Sequence, residues 1–158
     1  MRIVRQEERT PKLIEQLLDI WEGSVRATHL FLSESEILGI REYVPAALAG
    51  VPLLIVEKNA DGEPAAFMGI DGDKLEMLFV ADGQRGRGIG KQLLRRGIAV
   101  YGVKRLDVNE QNPEARGFYE HLGFTVRGRS ELDGQGNPYP ILHMELNSML
   151  RRSAHPAS

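Results

Sequence analysis

The sequence predicts an α/β domain of the mixed α+β class, with a central mixed sheet of about seven strands flanked by about four helices. Three observations predict this fold. The chain has 158 residues with 42% hydrophobic content and a net charge of −2, which suits one packed domain. Three apolar runs joined by turn sequences indicate an antiparallel meander. Beyond them, helical stripes alternate with short strand-like runs, which indicates crossover connections.

The first part of the chain predicts one short strand and two helices. Met1–Val4 has a strand pattern. The Thr10-Pro11 pair is typical of a helix start, since threonine caps open amides and proline suits the first helical position. The apolar stripe of this first helix continues to about Thr28. The second predicted helix extends from a cap at Ser33 or Ser35 to Gly50, with apolar positions at Ile37, Ile40, Val44 and Leu48.

The meander follows. Its predicted strands are Leu53–Glu57, Ala65–Ile70 and Leu75–Val80. The Asp61-Gly62 pair between the first two favours a tight hairpin. In the third strand, alternation predicts Glu76, Leu78 and Val80 on one face and Leu75, Met77 and Phe79 on the other.

The second half predicts two helices and three strands. These elements are a helix over Gly88–Tyr101, a strand over Arg105–Val108, a helix from Pro113 closed by Gly123, and strands over Phe124–Arg129 and Ile141–Leu146. The predicted order is therefore β-α-α-β-β-β-α-β-α-β-β. We expect residues 1–147 to form a single domain and residues 148–158 to form a frayed tail.

Composition excludes several classes of protein and site. The chain has no cysteine, which excludes disulfides, cysteine nucleophiles and thiolate metal sites. The four histidines are far apart and form no HExxH pair, so no metal is expected. Pro45–Val56, the longest weakly interrupted apolar stretch, contains two prolines and a glycine, and we expect no membrane span. The charged start, Met1–Arg9, lacks a signal core, which predicts a cytoplasmic protein.

A glycine-rich loop carries the strongest functional signal. The segment Gln84–Lys91 lies between a predicted strand and a helix start, in a stretch rich in lysine and arginine. Glycines let the backbone approach an anion, and the first helical amides bind phosphate oxygens. A Walker A loop and a dinucleotide fingerprint are both disfavoured, because Arg85 and Lys91 stand where those motifs need glycine. The pattern predicts an anionic ligand at this loop.

The loop resembles the pyrophosphate loop of the GCN-five-related N-acetyltransferase (GNAT) superfamily. The pattern of Arg or Gln, two residues, Gly, one residue and Gly or Ala is matched by Arg85, Gly86, Arg87, Gly88, Ile89 and Gly90. Leu78, Phe79 and Val80 precede the loop on a strand at the spacing found in the family. The family's pattern downstream of the loop is matched at Asn112, Ala115, Phe118, Tyr119, Leu122, Gly123 and Phe124. Thr28-His29, residues 108–112 and Tyr139-Pro140 are similar to the YjaB-type bacterial acetyltransferases. The resemblance covers nearly the whole chain.

The resemblance implies that the protein transfers an acetyl group from acetyl-CoA to a primary amine of a small molecule or peptide by direct attack. It places the pyrophosphate on the loop, at Arg85, Gly86, Arg87, Gly88, Ile89, Gly90 and Lys91. It places the pantetheine arm along the backbone of Leu78, Phe79 and Val80, where two parallel strands splay apart. Asn112 would contact the pantetheine, cap the helix before Pro113, or do both.

The resemblance also implies the groups that move protons. Tyr119 is the expected general acid for the departing thiolate, since thiols ionise near pH ~8.5 and phenols near ~10; the alternative is an ordinary core tyrosine. The acceptor amine, with a lysine-like pKa of ~10.4, must first lose a proton. Glu76 is the expected base, unless it is only a solvent-facing strand carboxylate. His29 is the rival base or an acceptor contact, and its alternative is a plain helix-end residue.

Two other functions are less well supported by the sequence than acetyl transfer. A non-catalytic sensor of acetyl-CoA or CoA would need the same loop, but Tyr119 argues against it. Nucleic-acid binding is disfavoured by the acidic segment Asn59–Asp82 and the 6% aromatic content. We therefore expect acetyl-CoA and an amine acceptor as partners, no nucleic acid or membrane, and a monomer or homodimer. The acceptor pocket is expected between Trp21–Tyr43 and Asp133–Pro140, and the acceptor itself stays open.

Overall fold

A computed structural model describes residues 1–84 and 86–147 of the chain. The helices are α1 (Pro11–Thr28), α2 (Glu34–Arg41), α3 (Val44–Gly50), α4 (Ile89–Tyr101) and α5 (Pro113–His121). The strands are β1 (Arg2–Ile3), β2 (Leu53–Lys58), β3 (Pro64–Asp71), β4 (Lys74–Val80), β5 (Arg105–Asn109), β6 (Phe124–Ser130) and β7 (Ile141–Leu146). They form one seven-stranded sheet in the order β1-β2-β3-β4-β5-β7-β6. The predicted mixed α+β class is confirmed. Arg85 and the predicted tail lie outside the described residues.

The centre of the sheet holds its parallel pair. β4 and β5 run parallel, whereas the other neighbouring strands run antiparallel. The β4–β5 ladder joins Lys74 to Arg105 and Leu75 to Leu106. Beyond these pairs the two strands separate, and each leaves the polar groups of one backbone edge without a strand partner. This gap positions the site described below.

Two hydrophobic cores cover the two faces of the sheet. On one face, α4 and α5 pack over a core that includes the fully buried residues Leu93 and Phe124. On the other face, α1, α2 and α3 pack over a core that includes Leu17, Leu48 and Phe67. A fully buried side chain of this size contributes about 1.5–3 kcal/mol relative to its exposed state, so these contacts hold the helices on the sheet. Among the described helices, none is long and apolar enough to cross a membrane.

The second predicted helix is divided into α2 and α3. Its N-terminal cap is Ser33, whose Oγ accepts a hydrogen bond from the Glu36 backbone N–H at 3.2 Å. The helix α2 ends at Arg41, Glu42 and Tyr43 form a turn that keeps right-handed helical backbone angles, and α3 starts with Pro45 in its first turn. Proline has no N–H to donate to the carbonyl four residues earlier, here that of Arg41, and its ring clashes with that carbonyl. A continuous helix through Pro45 is therefore disfavoured.

A β-bulge in β4 changes the predicted alternation of side chains. Gly69 pairs with Met77 and the next residue, Ile70, pairs with Leu75, so Glu76 is the extra residue of the bulge. Leu75 consequently packs in the core under α4, which also receives Leu78, and not on the opposite face with Met77 as predicted. The prediction for Leu75 was wrong because a bulge shifts the two-residue period by one position.

Candidate active site

The separation of β4 and β5 opens a cleft of about 580 Å³. Its walls come from both separated strands, the start of α4, one face of α5 and the end of α1. The predicted site residues that line it are His29, Glu76, Leu78, Phe79, Val80, Gly86, Gly88, Ile89, Gly90, Lys91, Asn112 and Tyr119. The fold thus gathers residues that are far apart in the sequence around one opening. Arg87 is exposed on the loop and is not among the lining residues, and Arg85 lies outside the described residues.

The glycine-rich loop turns into α4 through two left-handed residues. Gly86 has a φ of 83° and Gly88, the N-cap of α4, has a φ of 77°. Side chains are strained in this conformation, which explains the glycines. In the described part of the chain no side-chain hydrogen bond caps α4. The first amides of a helix have no partner within the helix, and here Ile89, Gly90 and Lys91, at the positive end of the α4 dipole, line the cleft.

The side chain of Tyr119 reaches the cleft from α5. Its ring lies edge-on to Phe118 and Phe124, with centroids 5.2 Å and 6.2 Å away. Burial among these groups raises the pKa of Tyr119 to about 12. The phenol therefore carries its proton at neutral pH and has one to donate.

Asn112 is the N-cap of α5 and is only 6% exposed. Its Oδ1 accepts a hydrogen bond from the Ala115 backbone N–H at 3.1 Å. The helix-cap role predicted as one alternative is therefore present. The residue also lines the cleft, so capping and contact with a ligand are compatible.

His29 ends α1 at the opposite side of the cleft. Its Nδ1 lies 2.8 Å from Thr28 Oγ1, and Thr28 donates a hydrogen bond to the Ser24 carbonyl at 2.7 Å. The His29 ring also contacts Phe31, which contacts Tyr139 with ring centroids 6.0 Å apart. Burial lowers the pKa of His29 below its usual range, so the imidazole is neutral at pH 7.

Glu76 lies on the bulge, at the cleft wall formed by β4. Its carboxylate is 3.9 Å from the Lys74 ammonium and its side chain is 37% exposed. The same ammonium lies 2.9 Å from Asp107 on β5. Lys74 therefore bridges the two strands just before they separate. This exposed ion pair adds at most about 1 kcal/mol, and it orients the carboxylates more than it stabilises the fold.

Sequence reasoning missed Asp107, which β5 brings to the cleft, and the residues on neighbouring strands that hold it. Asp107 lines the cleft and accepts a hydrogen bond from His143 Nδ1 at 2.7 Å, and His143 Nε2 lies 2.6 Å from Ser130 Oγ. Burial raises the pKa of Asp107, but hydrogen bonds from Lys74 and His143 outweigh it and leave the pKa below its usual range. These residues lie on β4, β5, β7 and β6. Only the strand order brings them together, so no local motif could have revealed them.

Ser24 and Thr28 also line the cleft; they lie within the Trp21–Tyr43 segment expected to form the acceptor pocket but were not predicted individually. Their spacing of four residues on α1, directly before His29, was the available signal. No group of three or more His, Asp or Glu residues in the described part of the chain has the arrangement of a metal site.

A mixed sheet that splays at its parallel pair, beside an uncapped glycine-rich helix start, defines the acetyltransferase class of fold. The acetyltransferase (GNAT) domain model matches residues 50–126. The peptidyl-lysine N-acetyltransferase YjaB of Salmonella typhimurium is 42% identical over 130 residues, which cover 82% of this chain and 89% of that protein. The chain belongs to the GNAT family, as its sequence predicted, and it is an N-acetyltransferase that transfers an acetyl group to an amine.

Solved structures agree with this assignment. The solution structure of apo-form YjaB from Escherichia coli superimposes with a TM-score of 0.77 at 37% identity, covering 92% of this chain and 97% of that chain. An aminoglycoside 6'-N-acetyltransferase complexed with coenzyme A has the same fold, with a TM-score of 0.56 at 18% identity and coverage of 91% and 95%. The alternative of a non-catalytic sensor is not favoured, since the similar proteins are named as acetyltransferases.

Proposed function

We propose that the protein transfers the acetyl group of acetyl-CoA to the side-chain amine of a lysine in a peptide or protein. One observation carries the proposal: a single cleft runs from the uncapped start of α4, through the β4–β5 gap, to the end of α1. A donor with a phosphate end and a reactive thioester end fits one side of this cleft. An acceptor amine then reaches the thioester from the other side. The name of the similar Salmonella protein supports peptidyl lysine as the acceptor.

The phosphate end of acetyl-CoA binds the loop in this proposal. The amides of Ile89, Gly90 and Lys91 belong to the first turn of α4, where N–H groups have no partner within the helix, and they donate to phosphate oxygens without a side chain. Lys91 adds charge at the cleft, and Arg87 with Arg85 adds charge on the loop. Each such exposed cation contributes roughly 1 kcal/mol or less, because solvent screens it. The backbone therefore carries most of the specificity for pyrophosphate.

The pantetheine arm lies along β4. From Leu78 to Val80 this strand pairs with β3 on one side, while its other edge faces the gap. Backbone N–H and C=O groups on such an edge need partners. The two amides of pantetheine supply them in the manner of an added strand. Asn112 contacts the same arm from the start of α5.

The reaction needs three proton transfers. A lysine amine with a pKa of ~10.4 must lose its proton before attack, which costs about 4–5 kcal/mol at pH 7. The neutral amine then forms a bond to the thioester carbonyl carbon, and the carbon–sulfur bond breaks as the tetrahedral intermediate collapses. Tyr119 donates its proton to the leaving thiolate, and the second proton of the amine nitrogen, released as the amide forms, restores the Tyr119 hydroxyl. The first amine proton, lost before attack, is taken by one of the two groups predicted for it, Glu76 or His29.

Thiol release tests the acceptor class. Purified protein is mixed with acetyl-CoA and a peptide whose N-terminus is blocked and which carries one lysine. We expect free thiol and a product heavier by one acetyl group, located on that lysine by fragmentation. The matched control is the same peptide with the lysine already acetylated, which should release no thiol. Turnover confined to small amines such as spermidine or an aminoglycoside would overturn the peptidyl-lysine proposal.

A further inference from the structure

We infer that His29 is the catalytic residue that takes the proton from the acceptor amine, and that Thr28 is a positioning residue that holds the His29 imidazole in the tautomer able to do so. The inference deepens the proposed function and rests on it. The hydrogen-bond geometry at the end of α1 carries it.

The protons can be assigned by counting them. Thr28 Oγ1 lies 2.7 Å from the Ser24 carbonyl oxygen, which has no proton to give, so the single hydroxyl proton of Thr28 lies on that contact. The same Oγ1 lies 2.8 Å from His29 Nδ1 and is left as an acceptor there. The proton of this second hydrogen bond therefore belongs to Nδ1. A neutral imidazole carries one N–H, so Nε2 holds the free lone pair.

The surrounding backbone fixes this arrangement. Ser24 and Thr28 are one helical turn apart, so the hydroxyl bonds back to the carbonyl of its own helix. His29 is the C-cap of α1, and its backbone N–H donates to the Val25 carbonyl at 2.8 Å. The Phe31 ring then packs on the imidazole with a centroid distance of 5.5 Å. The ring is therefore held between Thr28 and Phe31 instead of turning freely.

Other charged groups border the same cleft and define the setting for proton transfer. Titratable groups among the lining residues, besides His29, are Glu76 on β4, Lys91 on α4, Asp107 on β5, and Glu114 and Tyr119 on α5. Glu76 is the rival base, but it faces the Lys74 ammonium across 3.9 Å. A general base works best when its pKa is near the operating pH, and imidazole, with an ordinary pKa of ~6.5, is the side chain nearest to it.

The first test reads the imidazole nitrogens by ¹⁵N NMR on the full chain without substrates, at a pH where His29 is neutral. We expect the Nδ1–H form in the wild type and in Thr28→Ser, which keeps the hydroxyl. Valine has nearly the same shape as threonine but lacks the hydroxyl that accepts the hydrogen bond from Nδ1. In Thr28→Val we therefore expect His29 to lose its preference for the Nδ1–H form. An Nε2–H form in the wild type, or an unchanged spectrum in Thr28→Val, would overturn the positioning role.

The second test follows kcat/KM against pH with a lysine peptide. In His29→Gln, kcat/KM should fall roughly 10²–10⁴-fold at neutral pH, the usual contribution of a general base. It should recover at high pH, where the fraction of neutral lysine amine rises. Thr28→Val should lose roughly threefold to tenfold, consistent with the loss of one hydrogen bond, and Thr28→Ser should restore the rate. The KM for acetyl-CoA should not change in Thr28→Val. A wild-type profile in His29→Gln would overturn the inference.

Failure of the proposed function gives a different result. If the wild type transfers acetyl to no peptide lysine, the peptidyl-lysine assignment fails. The ¹⁵N spectra are recorded without acetyl-CoA or peptide, so they still decide whether Thr28 holds the His29 tautomer.

Discussion

Leu75 on β4 pairs with Leu106 on β5, and the two strands separate immediately beyond this pair. The pair is buried in the core under α4, with both side chains at most 5% exposed. A firmly packed pair at this point lets the strands diverge without opening the rest of the sheet. The bulge at Glu76 lies next to it and redirects β4 as the gap begins. The cleft therefore starts directly beyond the buried Leu75–Leu106 pair.

A large charged side chain in the glycine-rich loop before α4 should abolish acetyl-CoA binding. Gly88→Glu places a carboxylate at the N-terminus of α4, where it repels phosphate and caps the free amides. Isothermal calorimetry should show loss of acetyl-CoA binding in the folded variant. The matched control is Gly102→Glu, at the other end of α4, where the glycine also has a left-handed φ, of 73°, and open space around it. Gly102→Glu introduces similar backbone strain and should bind acetyl-CoA normally. Equal affinities in both variants would show that the Gly88 loop does not bind the phosphates.

Removing the Tyr119 hydroxyl should slow turnover without loosening the fold. Tyr119→Phe keeps the ring against Phe118 and Phe124, so acetyl-CoA binding and thermal stability should stay near wild type. Thiol release should fall by roughly 10²–10⁴-fold, the range for general acid catalysis. Tyr101→Phe removes a hydroxyl from a tyrosine outside the cleft lining and is the control. Full activity in Tyr119→Phe would make Tyr119 a core residue.

The pH profile should identify which group takes the amine proton. The rate falls when the base becomes protonated, and burial lowers the pKa of His29. The acidic limb of kcat/KM should therefore lie below pH ~6.5, the ordinary value for histidine. Glu76→Gln should keep this limb, whereas His29→Gln should remove it. A limb that disappears in Glu76→Gln and persists in His29→Gln would reverse the assignment.

Two helix glycines should respond oppositely to a larger side chain. A Cβ at Gly97 would lie 3.2 Å from Met68 Sδ and 3.3 Å from Val103 Cγ2, so Gly97→Val should destabilise the fold by about 1–3 kcal/mol through overpacking. A Cβ at Gly23 in α1 meets no atom within 4 Å. Gly23→Ala should therefore stabilise by about 0.5–1 kcal/mol through helix propensity. Urea unfolding measures both; a Gly97→Val midpoint at or above wild type would contradict the packing argument.

Much of the fold and part of the site were predictable from local patterns. Thr10 caps α1, accepting from the Leu13 N–H at 3.2 Å, as the Thr-Pro pair predicted. The glycine-rich loop does precede α4 and borders the cleft. The bulge at Glu76 was not predictable, because it depends on the register between β3 and β4. The cytoplasmic location and the monomer or homodimer stay predictions.

Local sequence patterns predict the family, the caps at Thr10 and Asn112, and the order of elements except for the division of the second helix at Pro45, since each depends on neighbouring residues or on a local motif such as the loop before α4. The point at which β4 and β5 separate, after Leu75, and the placement of Tyr119 and His29 on opposite sides of the gap follow from the tertiary fold alone. Only it assigned the His29 proton, through a contact with Thr28 whose own proton is committed to Ser24. Strand register and hydrogen-bond direction depend on how segments pack in three dimensions, and local sequence patterns do not contain that information.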